Sequence, residues 1–287
     1  MIVIGCRTAV MASVVCLLCG SPTAAESPFG DLAARLVADG LDGAKVGALY
    51  SDPRCEFLPA IAQINLKHVE DTAAYRSFLA EKNLAIAQAY FALHRGMLRR
   101  FEARTGVPAE IVVAILLVET KCGRERDKAP VLNVLSTIAS CADDAAVEKS
   151  YEALRPQYPD LTPSEVRRRA QSRGRWAYKE LKAFLEWILR QPAQDAFAIR
   201  GSWAGALGLP QFMPTALAAY GADGDGDGRV DLSSDTDSVA SVCRYLRENG
   251  WRPGRAARAQ RRVIWRYNHS PLYVDTVLKI SERISNP

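Results

Sequence analysis

Histidine is scarce in this chain and long apolar runs are missing beyond its N-terminal stretch. Only His68, His94 and His269 are present, and no pair among Cys55, Cys122, Cys141 and Cys243 has metal-ligand spacing, which argues against a zinc centre. After the first residues no segment is long and apolar enough to span a bilayer. No internal repeat and no low-complexity linker divides the sequence. Excess charge is lacking too: the net formal charge is +5 with 24% charged residues. That is too modest to argue for a nucleic-acid partner, although it suits an anionic surface. The basic clusters Arg167-Arg168-Arg169 and Arg252 to Arg262 read as solvated helix faces. With 287 residues, 48% of them apolar, the chain can bury a sizeable core as one large domain or two smaller ones.

The N-terminus has the pattern of an export signal. Arg7 precedes an apolar stretch from Thr8 to Leu18, and small residues follow through Ala24-Ala25 before Glu26. Cleavage near Ala25 is expected, leaving 26–287 as the mature protein. Cys16 and Cys19 are each preceded by a bulky residue, where a lipoprotein signal wants a small one, so a soluble periplasmic protein is favoured over a lipid-anchored one. Cys55, Cys122, Cys141 and Cys243 remain, and an oxidising compartment could pair them in three ways. Cys122–Cys141 is the expected bridge.

Helical signals dominate the rest. A short helix is predicted over Asp31 to Ala38 and a long one from Thr72 to about Arg104, where Phe78, Ala85, Tyr90, Leu93, Leu98 and Phe101 recur at helical spacing. Further helices are predicted from Pro108 to just before Gly123 and from about Pro130 to Ser140. Another starts at the capping box Thr162-Pro163-Ser164-Glu165. Trp176, Leu181, Phe184, Leu185 and Ile188 form an amphipathic stripe that reads as core.

Glu119 is the sharpest single position. It ends eight consecutive apolar residues, Ile111 to Val118, and shares a helix face with Val112, Ile115 and Leu116. A carboxyl there is desolvated and close to the negative end of the helix dipole, and both effects favour its protonated form. Two readings follow from these residues: a general acid, or the point where a buried helix re-emerges into water.

Two more segments carry chemistry. In Gly201 to Pro214 the small residues Ser202, Ala204, Gly205, Ala206 and Gly208 allow close approach of backbone or ligand, and Gln211, Phe212 and Met213 supply an amide and apolar surface. Such a set suits a sugar platform or a tight packing turn. Asp223, Asp225 and Asp227 stand at positions 1, 3 and 5 of a calcium-type loop, with Gly228 at 6 and the Arg229 carbonyl at 7. Ser234 replaces the usual glutamate at position 12, and Asp231, Asp235 and Asp237 are substitutes, with Asp237 closing a longer loop. A structural Ca2+ ion is expected there.

Glu119-Thr120-x-x-Gly123, then Ser202-x-Ala204-Gly205-Ala206-x-Gly208-x-x-Gln211-Phe212-Met213-Pro214, the acidic loop and Tyr267-Asn268 stand in an order that resembles the lytic murein transglycosylases, closest to the membrane-bound B type. The resemblance implies a mainly helical, lysozyme-like catalytic core with additional N-terminal helices, an EF-hand-like loop and a groove for peptidoglycan glycan strands. It makes Glu119 the sole catalytic carboxylate, puts Ser202, Gln211 and Phe212 on one wall, and puts Tyr267, Asn268 and Tyr273 opposite. It implies no catalytic cofactor and no nucleic-acid partner, and a monomer is expected. Three features depart from the family pattern: Cys122 where a bulkier residue is expected, the large Trp203 beside Ser202, and a C-terminus at Pro287 with no separate cell-wall-binding module. Rival readings are a lysozyme-type hydrolase with a second carboxylate and a non-catalytic glycan-binding scaffold.

Overall fold

The computed structural model describes residues 28–62, 72–125, 129–141, 147–148, 151–152, 155–156, 162–191, 194–254 and 256–285. The expected leader lies outside them. The described chain is helical almost throughout. Helices α1 (Gly30–Ala38) and α2 (Gly43–Tyr50) are followed by α3 (Thr72–Ser77), α4 (Glu81–Leu93), α5 (Arg95–Thr105) and α6 (Ala109–Thr120). A two-residue strand β1 (Ala129–Pro130) leads into α7 (Val131–Ser140), then α8 (Pro163–Ile188) and β2 (Arg200–Gly201). Helices α9 (Pro214–Tyr220), α10 (Asp235–Glu248), α11 (Ala257–Tyr267) and α12 (Pro271–Ser285) complete the order. β1 and β2 pair antiparallel, Ala129 with Gly201 and Pro130 with Arg200.

The long helix predicted from Thr72 to Arg104 is three helices. The chain leaves helical geometry at 78–80, where the Asn83 side chain donates to the Ser77 carbonyl (2.8 Å). It turns again at His94, which closes α4 and opens α5. The break also corrects the predicted face: Leu84, Ala87 and Tyr90 are buried, whereas Leu93 is 79% exposed and Ala85 is exposed.

Two apolar cores result. The first surrounds α6, whose residues Val112 to Leu117 are wholly buried among α4, α5, α10 and α12. Each Val, Ile or Leu buried in this way contributes roughly 1.5–3 kcal/mol. The second is built on α7 and α8, with α1, α2 and the 196–232 segment packed against them. At the N-terminus of α8 the predicted capping box forms, Thr162 Oγ1 accepting from the Glu165 N–H and Glu165 Oε2 accepting from the Thr162 N–H (3.0 Å). Tyr245 and Tyr267 pack on both cores, which places the seam between them beside the end of α6.

The expected Cys122–Cys141 bridge is absent. Cys122 packs on the first core and lines a cavity with Tyr90, His94 and Asp235. Cys141 is buried at the end of α7, its thiol directed back to the Thr137 carbonyl (3.1 Å). The two cysteines follow the ends of α6 and α7, helices that serve different cores.

Candidate active site

The carboxyl of Glu119 is delivered by a helix that stops abruptly one residue later. Lys121 (φ 49°), Cys122 (φ 55°) and Gly123 (φ 80°) are all left-handed. The first two are unfavourable for side-chain-bearing residues, costing roughly 1 kcal/mol or more each. Bonds from the Cys122 N–H to the Leu116 carbonyl and from the Lys121 N–H to the Leu117 carbonyl, both 2.9 Å, satisfy the helix end. Thr120 secures the turn: its hydroxyl accepts from the Gly123 N–H (3.0 Å) and donates to the Leu209 carbonyl (3.0 Å). The helix thus ends two residues earlier than Gly123 suggests, and Thr120 ties that end to the 201–214 segment.

Burial pushes the Glu119 carboxyl up to about 7 from an ordinary value of 4.5. The Tyr273 hydroxyl donates to Glu119 Oε1 at 2.7 Å, and this bond, which favours the ionised form, opposes the shift. No other group among the described residues shifts this carboxyl: neither a second carboxylate nor a cation bears on it. Tyr273 is itself buried, stacks face to face on Tyr267 (centroids 6.2 Å, 9°), and meets Tyr75 edge-on (6.5 Å). Glu119 is therefore bonded to an aromatic cluster of tyrosines, not to a charged group.

The 201–214 segment is a tight turn. Leu207 and Phe212 exchange both backbone bonds (2.8 and 3.1 Å), and the Ser202 N–H donates to the Ala206 carbonyl (3.0 Å). Two of its glycines are both left-handed and crowded. A Cβ at Gly208 (φ 65°) would stand 2.2 Å from the Leu232 carbonyl oxygen, and one at Gly205 (φ 84°) 2.7 Å from Leu135. Ser202 Oγ accepts N–H bonds from Ala204 (3.3 Å) and Ala206 (3.1 Å). Among the described residues its own O–H has no acceptor. Gln211 adopts φ 51°, with its amide Nε2 donating to the Gly208 carbonyl (2.9 Å). Two successive carbonyls of the turn are held, Leu209 by the Thr120 hydroxyl and Pro210 by the Tyr267 hydroxyl (2.6 Å). Those two bonds bring Gln211 between the Glu119 helix and Tyr267.

Phe212 is not on the surface. It is 3% exposed and packs against Tyr245 and Tyr267 (5.8 and 5.9 Å) beneath the turn, so it supports the segment from inside. Asn268 is half-buried in extended geometry at the end of α11, and the Ser270 hydroxyl then accepts from the Tyr273 N–H (3.1 Å) to start α12. That geometry carries the chain from Tyr267 to Tyr273 on the same side of Glu119.

Three participants escaped the sequence reading. Tyr75 and Tyr245 complete the aromatic wall and carry no local signature. Glu180 does carry one. It lies four residues from both Trp176 and Phe184, inside the apolar stripe, and is 5% exposed. Its two oxygens accept from the N–H and hydroxyl of Thr215 (2.9 Å each), fixing the first turn of α9 directly after Gln211–Pro214.

The acidic loop stands apart. Oxygens of Asp223, Asp225 and Asp227 lie within 4.8 Å of one another, all exposed. Backbone N–H bonds from Gly228 (2.8 Å) and Gly226 (2.6 Å) hold the Asp223 carboxyl below its ordinary value. The Arg229 N–H donates to Asp227 (2.8 Å). Three convergent hard oxygens fit calcium. Asp237, expected as a ligand, is outside that group. It is buried, and its oxygens accept from the Gly224 and Asp231 N–H groups (2.8 and 2.7 Å), pinning both ends of the loop to α10.

Known proteins share sequence and fold with this chain. Membrane-bound lytic murein transglycosylase B of Escherichia coli (strain K12) is 30% identical over 179 residues, 62% of this chain and 42% of its own length. The chain thus spans less than half of that curated relative. Among solved structures, soluble lytic transglycosylase SltB1 from Pseudomonas aeruginosa superposes with a TM-score of 0.71 at 25% identity, covering 90% of this chain and 98% of its own. The Escherichia coli lytic transglycosylase SLT35 in complex with calcium gives 0.71 at 22% identity, covering 91% and 94%. The Transglycosylase SLT domain family matches residues 25–261, and with that match over most of its length the chain belongs to this family.

Proposed function

We propose that the protein is a peptidoglycan lytic transglycosylase in which Glu119 acts first as acid and then as base. The observation that carries the reading is a lone carboxyl held near pKa 7 by burial, hydrogen-bonded to a neutral tyrosine and with no second carboxylate bearing on it. Ordinary glycosidases divide the work between two carboxylates. Here protonated Glu119 gives its proton to the glycosidic oxygen between N-acetylmuramic acid and N-acetylglucosamine, and the bond from that oxygen to the muramic C1 breaks. The substrate's 2-acetamido group stabilises the electron-poor C1. Ionised Glu119 then takes the proton from the muramic 6-hydroxyl, whose oxygen closes onto C1 to give a 1,6-anhydro end. Water is not consumed. Tyr273 holds the Glu119 carboxylate between the two proton transfers.

Ser202 and Gln211 form one side of the sugar site and Tyr267 and Asn268 the other. Ser202 retains an O–H to donate, and the Gln211 carboxamide is presented by a strained, doubly anchored turn. Asp223, Asp225 and Asp227 hold a structural Ca2+ ion with the Arg229 carbonyl, supported by their convergence and by the relative solved with calcium. Bound there, the ion would offset the negative charge of the loop. The Arg7–Ala25 leader pattern supports export to the periplasm, and no described helix is long and apolar enough to cross a membrane.

Mass spectrometry of products released from isolated sacculi tests the reaction. Anhydro-muramic ends are expected. Reducing ends heavier by one water would replace this reading with a lysozyme-type hydrolase, and an absence of soluble products would leave a glycan-binding scaffold.

A further inference from the structure

The arginines of the 252–262 stretch read from sequence as a solvated face, and among the described ones Arg258 and Arg262 stand on that face without a counter-charge, whereas Arg261 is paired with Asp275. Arg258, Arg262, Trp265 and His269 recur at helical spacing on the outer side of α11 and its end, opposite the buried Val263 and Ile264, and all four are exposed. Arg258 and Arg262 have no acidic partner among the described residues. The acids nearest in the sequence and fold are already engaged: Asp275 with Arg261, Glu248 with Arg244. Alongside, Arg247 donates to the Arg104 carbonyl (3.0 Å), Arg252 to the Arg247 carbonyl (2.8 Å) and Arg266 to the Asn249 carbonyl (2.9 Å). These contacts orient guanidinium groups without neutralising them, and they join the ends of α5 and α10 to α11. Trp265 is 44% exposed and meets the His269 ring edge-on at 4.2 Å, 72°. That contact makes a rigid aromatic corner one residue from Asn268.

We propose that this face of α11 is a distal subsite for the glycan strand, where Trp265 and His269 take the apolar face of a sugar ring and Arg258 and Arg262 pair with carboxylates of the stem peptides. The proposal rests on the peptidoglycan reading above and adds a second contact surface outside the Glu119 site. Charge complementarity favours this occupant, since each peptide-bearing disaccharide carries carboxylates while the face carries only guanidinium groups. A lipid surface fits less well. Membrane adsorption scales with inserted apolar area, and Trp265 is the one large exposed apolar side chain on α11.

Retention of the protein on purified glycan strands, in a Glu119→Gln background that prevents cleavage, tests the subsite. Strands with stem peptides, strands stripped of peptides by an amidase, and phosphatidylglycerol vesicles serve as probes. Trp265→Ala is expected to weaken binding to both kinds of strand by about tenfold, with Trp265→Phe restoring most of it. The Arg258→Gln/Arg262→Gln pair is expected to weaken binding to peptide-bearing strands alone and to flatten its salt dependence. Unchanged strand binding in both variants overturns the proposal, as does a loss confined to the vesicles. Product analysis of the wild-type protein reports separately on the Glu119 reading, so the two can fail independently.

Discussion

The end of α6 and the Asp223–Asp227 loop both present carboxylates, and their surroundings drive them in opposite directions. Glu119 is desolvated at the end of a buried helix and bonded by a single phenolic donor, so its carboxyl rises to about 7. Asp223 is exposed and accepts two backbone N–H bonds, so its carboxyl falls below its ordinary value. One environment keeps a proton available near neutral pH, and the other keeps negative charge available for a cation. Residue type does not distinguish a general acid from a metal ligand; desolvation and donor count do.

The largest expected effect tests the acid. Glu119→Gln keeps the shape and removes the transferable proton, and release of anhydro products should fall by about a hundredfold or more while strand binding persists. Retention of more than a few per cent of the activity would break the contrast with the acidic loop. The same residue sets a pH dependence. Cleavage should decline as pH rises through about 7, because the protonated carboxyl is the reactive form. Its folded value lies above the unfolded one, so its stability contribution is complete below about 4.5 and is lost as pH rises through 7. The total is up to about 3 kcal/mol. Denaturant titrations at pH 5 and pH 8 should show a smaller stability difference in Glu119→Gln than in the wild type.

Next in size is the turn that brings Gln211 to the site. Gly208→Ala adds a Cβ 2.2 Å from the Leu232 carbonyl oxygen at a residue with φ 65°. A stability loss of roughly 2–4 kcal/mol is expected by urea unfolding. A smaller loss would mean that the turn relaxes, and the site would then be less fixed than the loop.

Calcium addresses the other region. In isothermal titration the wild type should show a heat that Asp225→Ala lacks, and calcium at a hundred times its dissociation constant should stabilise the fold by about 2.7 kcal/mol. Equal melting temperatures with calcium and with chelator would remove the metal from the account. The smallest effect concerns Tyr273→Phe. Losing the bond that favours the ionised form should move the upper limb of the pH–rate profile to higher pH by a fraction of a unit to one unit. A shift to lower pH would show that the phenol acts by some route other than that bond.

Much of the scaffold was legible because local rules and tertiary needs agree. The Ile111–Val118 run has no polar residue to solvate, so its burial follows from hydrophobicity, and Thr162-Pro163-Ser164-Glu165 starts α8 as written. The break at His94 was hidden because the apolar spacing continues across it, and packing then left Leu93 outside. Phe212 looked like ligand surface because composition does not say which side of a turn is wet. Asp237 looked like a ligand because proximity in sequence does not distinguish an oxygen facing the loop centre from one taken by backbone N–H groups. Glu180 was legible in principle, as a carboxylate on an apolar stripe, by the same argument that singled out Glu119.

The sequence by itself determined that a carboxyl would stand at the end of an eight-residue apolar run, and hence that its ionisation would be costly. It also determined the order of the small-residue turn, the acidic loop and the Tyr267–Asn268 pair, since order is a property of the chain. Only the tertiary structure decided which groups meet that carboxyl. Tyr273 lies 154 positions away and reaches Glu119 because α12 packs on α6, and Thr120 and Tyr267 hold adjacent carbonyls of one turn because two cores close on it. Desolvation can be anticipated from a run of neighbours, but a hydrogen bond between distant residues exists only when packing brings donor and acceptor within about 3 Å.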